Sequence, residues 1–195
     1  MFTGIIQELG RINQIKKGLY KISTKLDLSN CNEGSSISCN GVCLTAKNFK
    51  LSNDINSFEV NIGEETLNRT NLQKSVENQQ MINIEKSLTI GDEISGHFVY
   101  GHVDNVTSLS KILKLQNSWE YHFKKDFLTN NKFIIEKASI SINGISLTIA
   151  NVLDDLFIIS VIEHTYKNTN LQFLTENDEV NIEFDYLARF ILKNE

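Results

Sequence analysis

The chain says nearly the same thing twice. Ser36-Ile37-Ser38-Cys39-Asn40-Gly41-Val42-Cys43-Leu44-Thr45-Ala46 returns as Ser139-Ile140-Ser141-Ile142-Asn143-Gly144-Ile145-Ser146-Leu147-Thr148-Ile149. Glu65-Thr66-Leu67-Asn68-Arg69-Thr70-Asn71-Leu72 returns as His164-Thr165-Tyr166-Lys167-Asn168-Thr169-Asn170-Leu171. Ile82-Asn83-Ile84-Glu85 returns as Val180-Asn181-Ile182-Glu183, and Thr3-Gly4-Ile5-Ile6 has a fainter echo in Tyr100-Gly101-His102-Val103. The copies keep one order at offsets of 97 to 103 residues. Such a chain is expected to fold as two similar domains about a pseudo-two-fold, an arrangement suited to holding two copies of one small molecule.

The segments 36–46, 58–62, 81–85, 93–106, 120–124, 132–136, 139–152, 157–161 and 179–184 are rich in β-branched and aromatic residues and read as strands. Asn40-Gly41 and Asn143-Gly144 are hairpin signals, because both central residues of a type I′ turn need positive φ. One helix per repeat is expected, over 64–73 and 164–172, with Glu64 and Glu65 favourable at the start of the first. A last helix runs from Asp185 to the end, with Leu187, Phe190 and Ile191 on one face. Many short strands at regular spacing predict an all-β sandwich or barrel in each half, with the seam at 86–92.

Composition narrows the partners. A formal charge of −5 argues against nucleic acid, which selects a basic footprint. No apolar run approaches the ~18 residues of a membrane span. Met1-Phe2-Thr3-Gly4 lacks the basic and apolar regions of a secretory signal, so a cytoplasmic protein is expected. Cys31, Cys39 and Cys43 are odd in number and would remain thiols in a reducing compartment.

Chemistry must rest on residues that the core does not need. After each Asn-Gly turn, the period of two puts Cys43 and Thr45 on one face and Leu44 on the other, with Ser146, Thr148 and Leu147 as their copies. These are either half-buried strand residues bonded to backbone or a thiol or hydroxyl paired with a threonine at a ligand. His97 and His102, five apart, would face opposite sides of a strand and cannot easily chelate one metal. No CxxC, HxxH or HExxH spacing occurs, so no metal site is expected. Either histidine is structural or a general acid/base, since imidazole titrates near neutrality. Gly96 and Gly101 hint at close backbone approach. No phosphate-binding glycine motif is present, and no cofactor is expected.

Together, Met1-Phe2-Thr3-Gly4-Ile5-Ile6, Asn40-Gly41-Val42-Cys43-Leu44-Thr45, Ser95-Gly96-His97-Phe98-Val99-Tyr100-Gly101-His102-Val103-Asp104 and Asn143-Gly144-Ile145-Ser146-Leu147-Thr148 resemble the riboflavin synthase family, alpha-chain type. The resemblance spans essentially the whole chain. It implies two tandem six-stranded Greek-key β-barrels, 1–89 and 90–184, each binding a lumazine, and a short C-terminal α-helix, 185–195, that gathers three chains. It implies a transferase that dismutates two molecules of 6,7-dimethyl-8-ribityllumazine to riboflavin and 5-amino-6-(ribitylamino)uracil without cofactor or metal. The alternative is a non-catalytic lumazine- or flavin-carrying relative of the lumazine-protein type. A duplicated barrel with an unrelated partner is the third reading.

Carried over residue by residue, the resemblance puts Cys43, Leu44 and Thr45 in the N-terminal pocket with Gly4, Ile5 and Ile6. Phe2 and Thr3 would lie beside them, and Asn61, Ile62, Gly63, Glu64, Glu65, Thr66 and Asn83 would complete that pocket. The C-terminal pocket would take Gly101, His102, Val103, Lys137, Ser146, Leu147 and Thr148. Ile162, Glu163, His164, Thr165 and Tyr166 would close it. His102, Ser146 and Thr148 would serve proton transfer and addition at C7, with Cys43 and His97 contributing. Asn143 stands where many members have Asp, and Glu163 where many have Pro.

Overall fold

The computed structural model describes residues 1–125 and 131–193. The first repeat forms β1 (Glu8–Lys16), β2 (Leu19–Thr24), β3 (Ser36–Cys39), β4 (Val42–Lys50), β5 (Asn56–Asn61) and β6 (Met81–Lys86). They close a barrel in the order β1-β2-β5-β4-β3-β6. The second forms β7 (Asn105–Lys114), β8 (Ser118–Lys124), β9 (Ser139–Ile142), β10 (Ile145–Val152), β11 (Leu156–Ile162) and β12 (Glu179–Phe184), closed in the equivalent order. Every pairing is antiparallel, and β2 meets β5 rather than β3, the crossover of a Greek key. Closure leaves neither sheet with an unpaired edge.

Alternation explains the interior. Along β4, Val42, Leu44 and Ala46 are buried while Cys43 and Thr45 face outward. Ile12, Ile22, Phe58, Val60 and Ile84 fill the first core. Tyr121, Phe123, Phe157, Ile140 and Ile182 fill the second, where the Tyr121 hydroxyl donates to Leu171 O at 2.9 Å. Asn40 and Gly41 have φ of 49° and 77°, and Asn143 and Gly144 48° and 81°, so both Asn-Gly pairs form the expected primed turns.

The two barrels meet through those turns. A Cβ on Gly41 would lie 2.7 Å from Gly144 N, and one on Gly144 would lie 2.8 Å from Gly41 N. Around this contact lie Asn40, Asn71, Asn83, Asn143, Asn170 and Asn181, all buried. Asn83 Nδ2 donates to Asn143 O at 2.9 Å and Asn170 Oδ1 at 2.8 Å, and Asn181 Nδ2 donates to Asn40 O at 2.7 Å. Asn71 N donates to Asn181 Oδ1 and Asn170 N to Asn83 Oδ1, each at 2.7 Å. The cluster satisfies polar backbone that two apolar barrel ends could not.

Several elements differ from expectation. β1 buries little beyond Gly10 and Ile12 and so escapes the pattern, whereas β2 buries Tyr20, Ile22 and Thr24 in alternation and was not among the expected strands. The strand expected over 93–106 is an irregular segment whose isolated bridge joins Phe2 to Val99, and β7 begins only at Asn105. Its N–H groups at 100–102 go to the Glu183 carboxylate instead of a ladder. The strand expected over 132–136 is a single 3-10 turn, Asn131–Phe133, followed by Ile134 in the core. The helix expected over 64–73 is two, α1 (Glu64–Arg69) and α2 (Leu72–Glu77), split where Thr70 turns extended. The copy gives α3 (Glu163–Asn168) and a 3-10 turn, Asn170–Phe173.

α4 (Tyr186–Lys193) follows β12. Leu187 and Ile191 are 63% and 65% exposed, whereas the Phe190 side chain and residues 194–195 lie outside the described residues.

Gly41→Ala tests the dyad contact. It forces a side chain into left-handed backbone and against Gly144 N. Stability should fall by roughly 1–3 kcal/mol or more, read from the denaturation midpoint, whereas Gly34→Ala meets no atom within 4 Å and should fall by the backbone strain alone.

Candidate functional site: two pockets with exchanged straps

Each barrel is preceded by a short strap that serves the other barrel. Thr3-Gly4 is held at the end of β6 by Glu85, whose Oε1 accepts from Thr3 N at 2.8 Å and Thr3 Oγ1 at 2.9 Å. Glu85 Oε2 accepts from Gly4 N at 3.0 Å. Gly4 O then accepts from Ser146 N, in the second barrel, at 2.8 Å. The copy repeats the device. Glu183 at the end of β12 accepts from Tyr100, Gly101 and His102 N at 2.7, 2.8 and 2.9 Å, and Gly101 O accepts from Cys43 N at 2.9 Å. Both strap glycines are left-handed, at φ 76° and 79°, and a Cβ would strike Ser146 or Cys43 within 2.6 Å.

The exchange corrects the sequence-based grouping. Gly4, Ile5 and Ile6 were expected beside Cys43 and Thr45, but Gly4 lies on Ser146 and Ile6 packs against the second core. Gly101, His102 and Val103 were expected beside Ser146 and Thr148, but Gly101 lies on Cys43 and Val103 packs against the first core. The physical reason is geometric. The second residue past each Asn-Gly turn, Cys43 or Ser146, presents its N–H to the neighbouring barrel's strap.

The first pocket is a hollow of about 240 Å³ lined by Val42, Cys43, Glu65, Thr66, Arg69, Thr70 and Gly101 to Val103. Thr45 is exposed on β4, Asn61 ends β5, and Gly63 caps α1, where Glu64 and Glu65 complement the helix start. Leu44 and Ile62 turn into the core, and Asn83 belongs to the dyad cluster, so none of these three faces the hollow. Arg69 brings a guanidinium that the sequence did not flag, paired with Glu65 at 3.3 Å.

The second site is built from the copies. Ser146 Oγ lies 2.7 Å from His97 Nδ1, and His97 N donates to Thr3 O at 3.1 Å. Gly96 leaves room for this approach, since a Cβ there would lie 2.0 Å from Thr3 O and 2.8 Å from Ser146 Cβ. Burial pushes the His97 pKa below its usual 6.5 against the opposing charge of Asp185, so the imidazole is neutral near pH 7. A neutral ring bonded to a serine hydroxyl can take or return a proton there. Thr148, Ile162, Glu163 and His164 are exposed, and Thr165 is half-buried. Glu163 pairs with Lys167 at 2.6 Å, and His164 O accepts from Asn168. Tyr166 stacks on Trp119 at 4.1 Å, while Leu147 packs on the second core. Lys137 has φ 70°, and its exposed ammonium lies 3.9 Å from Glu136. Phe2 is wholly buried and bridges Val99.

The sequence missed Glu85 and Glu183 as site residues. Their signal was the repeated Asn-Ile-Glu ending, legible as a repeat but not as a clamp. Burial raises both carboxyls, Glu183 to about 7, against the strap hydrogen bonds that favour ionisation. A larger hollow of about 380 Å³ opens over the dyad between Arg11, Met81, Phe173, Leu174 and Glu179; none of the expected site residues lines it.

Comparison with known proteins bears on these pockets. Residues 3–87 and 100–185 each match the lumazine binding domain family. The chain is 38% identical to the riboflavin synthase of Actinobacillus pleuropneumoniae, across 99% of this chain and 91% of that one. It is 34% identical to that of Bacillus subtilis, across 99% and 89%. Among solved structures, LumP complexed with riboflavin superposes with a TM-score of 0.77 at 26% identity, covering 94% of this chain and 99% of that chain.

The neutral His97 makes a measurable prediction. Its depressed pKa contributes stability that is complete above pH 6.5 and is lost as pH falls through the folded-state value. Histidine NMR should show His97 titrating below 6.5, and a midpoint at or above 6.5 would contradict the burial argument.

Proposed function

Because the chain belongs to the riboflavin synthase family, we propose that its two exchanged-strap pockets are the two lumazine sites of that enzyme. The reaction is the dismutation of two 6,7-dimethyl-8-ribityllumazine molecules. One gives a four-carbon unit to the other, and the products are riboflavin and 5-amino-6-(ribitylamino)uracil. The observation that carries the assignment is the hydrogen-bonded His97–Ser146 pair beside the Gly4 strap, with Cys43 as the copy of Ser146 beside the Gly101 strap, where His102 lines the hollow.

In this reading, 1–89 and 90–184 are the two lumazine-binding units, and each holds one ring against a strap backbone. The chemistry needs a proton removed from the C7 methyl of one lumazine and a nucleophile added at C7 of the other. The neutral His97, coupled to Ser146, is placed to accept and return a proton, and Thr148 stands two residues along the same face of β10. Cys43 and His102 offer a thiol and a second imidazole in the first pocket. The pockets of one chain open over different barrels, so two flat rings are brought face to face by apposing an N-terminal barrel with a C-terminal barrel of another chain. Such orientation alone is worth several orders of magnitude in rate.

A homotrimer supplies that apposition, with α4 as the gathering element. The exposed Leu187 and Ile191 on that helix support this role, since two large aliphatic side chains on one short helix favour a covered face. A cytoplasmic location is part of this reading. No helix among the described residues is long and apolar enough to cross a membrane. The lumazine-protein reading is the alternative, given the likeness to LumP. The retained Cys43, His102, Ser146 and Thr148 favour catalysis.

Incubation with 6,7-dimethyl-8-ribityllumazine alone tests the function. Riboflavin should appear, in half the molar amount of lumazine consumed, by absorbance and fluorescence. Tight lumazine binding with no riboflavin would assign the chain to the carrier class. Ser146→Ala should lower kcat about 10²-fold, with lumazine affinity nearly unchanged. Equal losses in rate and binding would reduce Ser146 to a positioning role. Removing the residues after Asp185 should convert the trimer to monomer, read by sedimentation, with loss of turnover; a fully active monomer would refute the apposed-barrel site.

A further inference from the structure

Both copies of the repeat end their last strand on Asn-Ile-Glu, and in both the glutamate is buried, at 3% exposure for Glu85 and 5% for Glu183. A buried carboxylate is costly unless its oxygens are occupied. Here they are, by N–H groups of a strap that forms no strand ladder with it. The two oxygens of a carboxyl group offer several lone pairs, so one side chain can take several converging N–H groups at once. An amide in the same place would aim its own N–H groups at them.

The bonds do not stop at the strap. From Glu183 the path runs through Gly101 to Cys43 N, and from Glu85 through Gly4 to Ser146 N. Each glutamate thus reaches across the dyad, from its own barrel to the backbone of the reactive residue in the other. The strap held by Glu183 also carries His102 into the first hollow, and that held by Glu85 carries the Thr3 carbonyl that receives His97 N. The surroundings differ in charge. Asp104, paired with Arg189 and accepting from Phe184 N, lies near Glu183.

We propose that Glu85 and Glu183 are positioning residues that act crosswise, Glu183 shaping the lumazine pocket at Cys43 and Glu85 the pocket at Ser146. The assignment rests on the two-pocket reading above. It goes further by predicting which glutamate governs which pocket, the reverse of what their positions in the barrels suggest. A residue serving fold stability alone would weaken both pockets together.

The test uses the full chain with riboflavin as probe. Protection of Cys43 from iodoacetamide, followed by mass spectrometry of its peptide, reports the first pocket. The perturbation of the His97 NMR signals reports the second. In Glu183→Gln, the riboflavin concentration for half-protection of Cys43 should rise tenfold or more, while the His97 response stays within twofold of wild type. Glu85→Gln should do the reverse. If the glutamine variants do not fold, Glu183→Asp and Glu85→Asp keep the charge but withdraw the oxygens, and carry the same crossed comparison. Equal losses at both pockets, an uncrossed pattern, or no loss overturns the proposal. Wild-type protein in which riboflavin reaches neither reporter overturns the two-pocket reading itself and the clamp with it.

Discussion

The structure depends on the back-to-back contact of two type I′ turns. Gly41 and Gly144 approach so closely that neither tolerates a Cβ, and this closeness lets side chains of one barrel reach the backbone of the other. The buried asparagines exploit it. Asn83 serves Asn143 O and Asn181 serves Asn40 O, so each turn is completed by an amide from the opposite barrel. A directional polar interface of this kind penalises any sliding of the barrels, because each displaced amide would be left buried and unpaired. The match is not perfect. Asn40 Nδ2 reaches Asn71 Oδ1 at 3.4 Å, whereas its copy, Asn143 Nδ2, is buried without a protein partner.

The dyad also decides what each pocket contains. With the turns docked, the second residue beyond each pairs with a strap that arrives from the other side. The hollow at Cys43 and the site at Ser146 therefore share one backbone frame and differ in the side chains put upon it. One offers Cys43, His102 and Arg69, while the other offers Ser146 with His97 buried against it and Ile5 in the place of His102. A dismutation asks two identical molecules to play different parts, donor and acceptor. In the proposed two-site reading, a duplicated scaffold with diverged side chains meets that demand with one way of holding the ring.

Burying a histidine and two glutamates near the reactive groups has an electrostatic consequence. His97 is driven toward its neutral form and both carboxyls toward theirs, although the strap N–H groups oppose the latter. For Glu183, raised to about 7, ionisation is harder in the fold than in the unfolded chain, so its contribution to stability declines as pH rises from 4.5 toward 7. The strap grip has the opposite preference, since a proton on the carboxyl takes an acceptor site away from an N–H.

The sequence alone determined the duplication, the barrel strands, the primed turns at Asn40-Gly41 and Asn143-Gly144, and the outward face shared by Cys43 and Thr45. These follow from local rules, a period of two and the backbone demands of two-residue hairpins. It also marked the sequence motifs of both pockets. Only the tertiary structure decided that the straps change places, because the bonds Gly4 O to Ser146 N and Gly101 O to Cys43 N join residues far apart with no local pattern. It likewise turned most of the strand expected over 93–106 into a strap, since the N–H groups at 100–102 meet a carboxylate instead of a neighbouring strand. Glu85 and Glu183 read in sequence as ordinary polar ends of strands; burial and the converging donors of a strap, which exist only in the assembled fold, gave them their place.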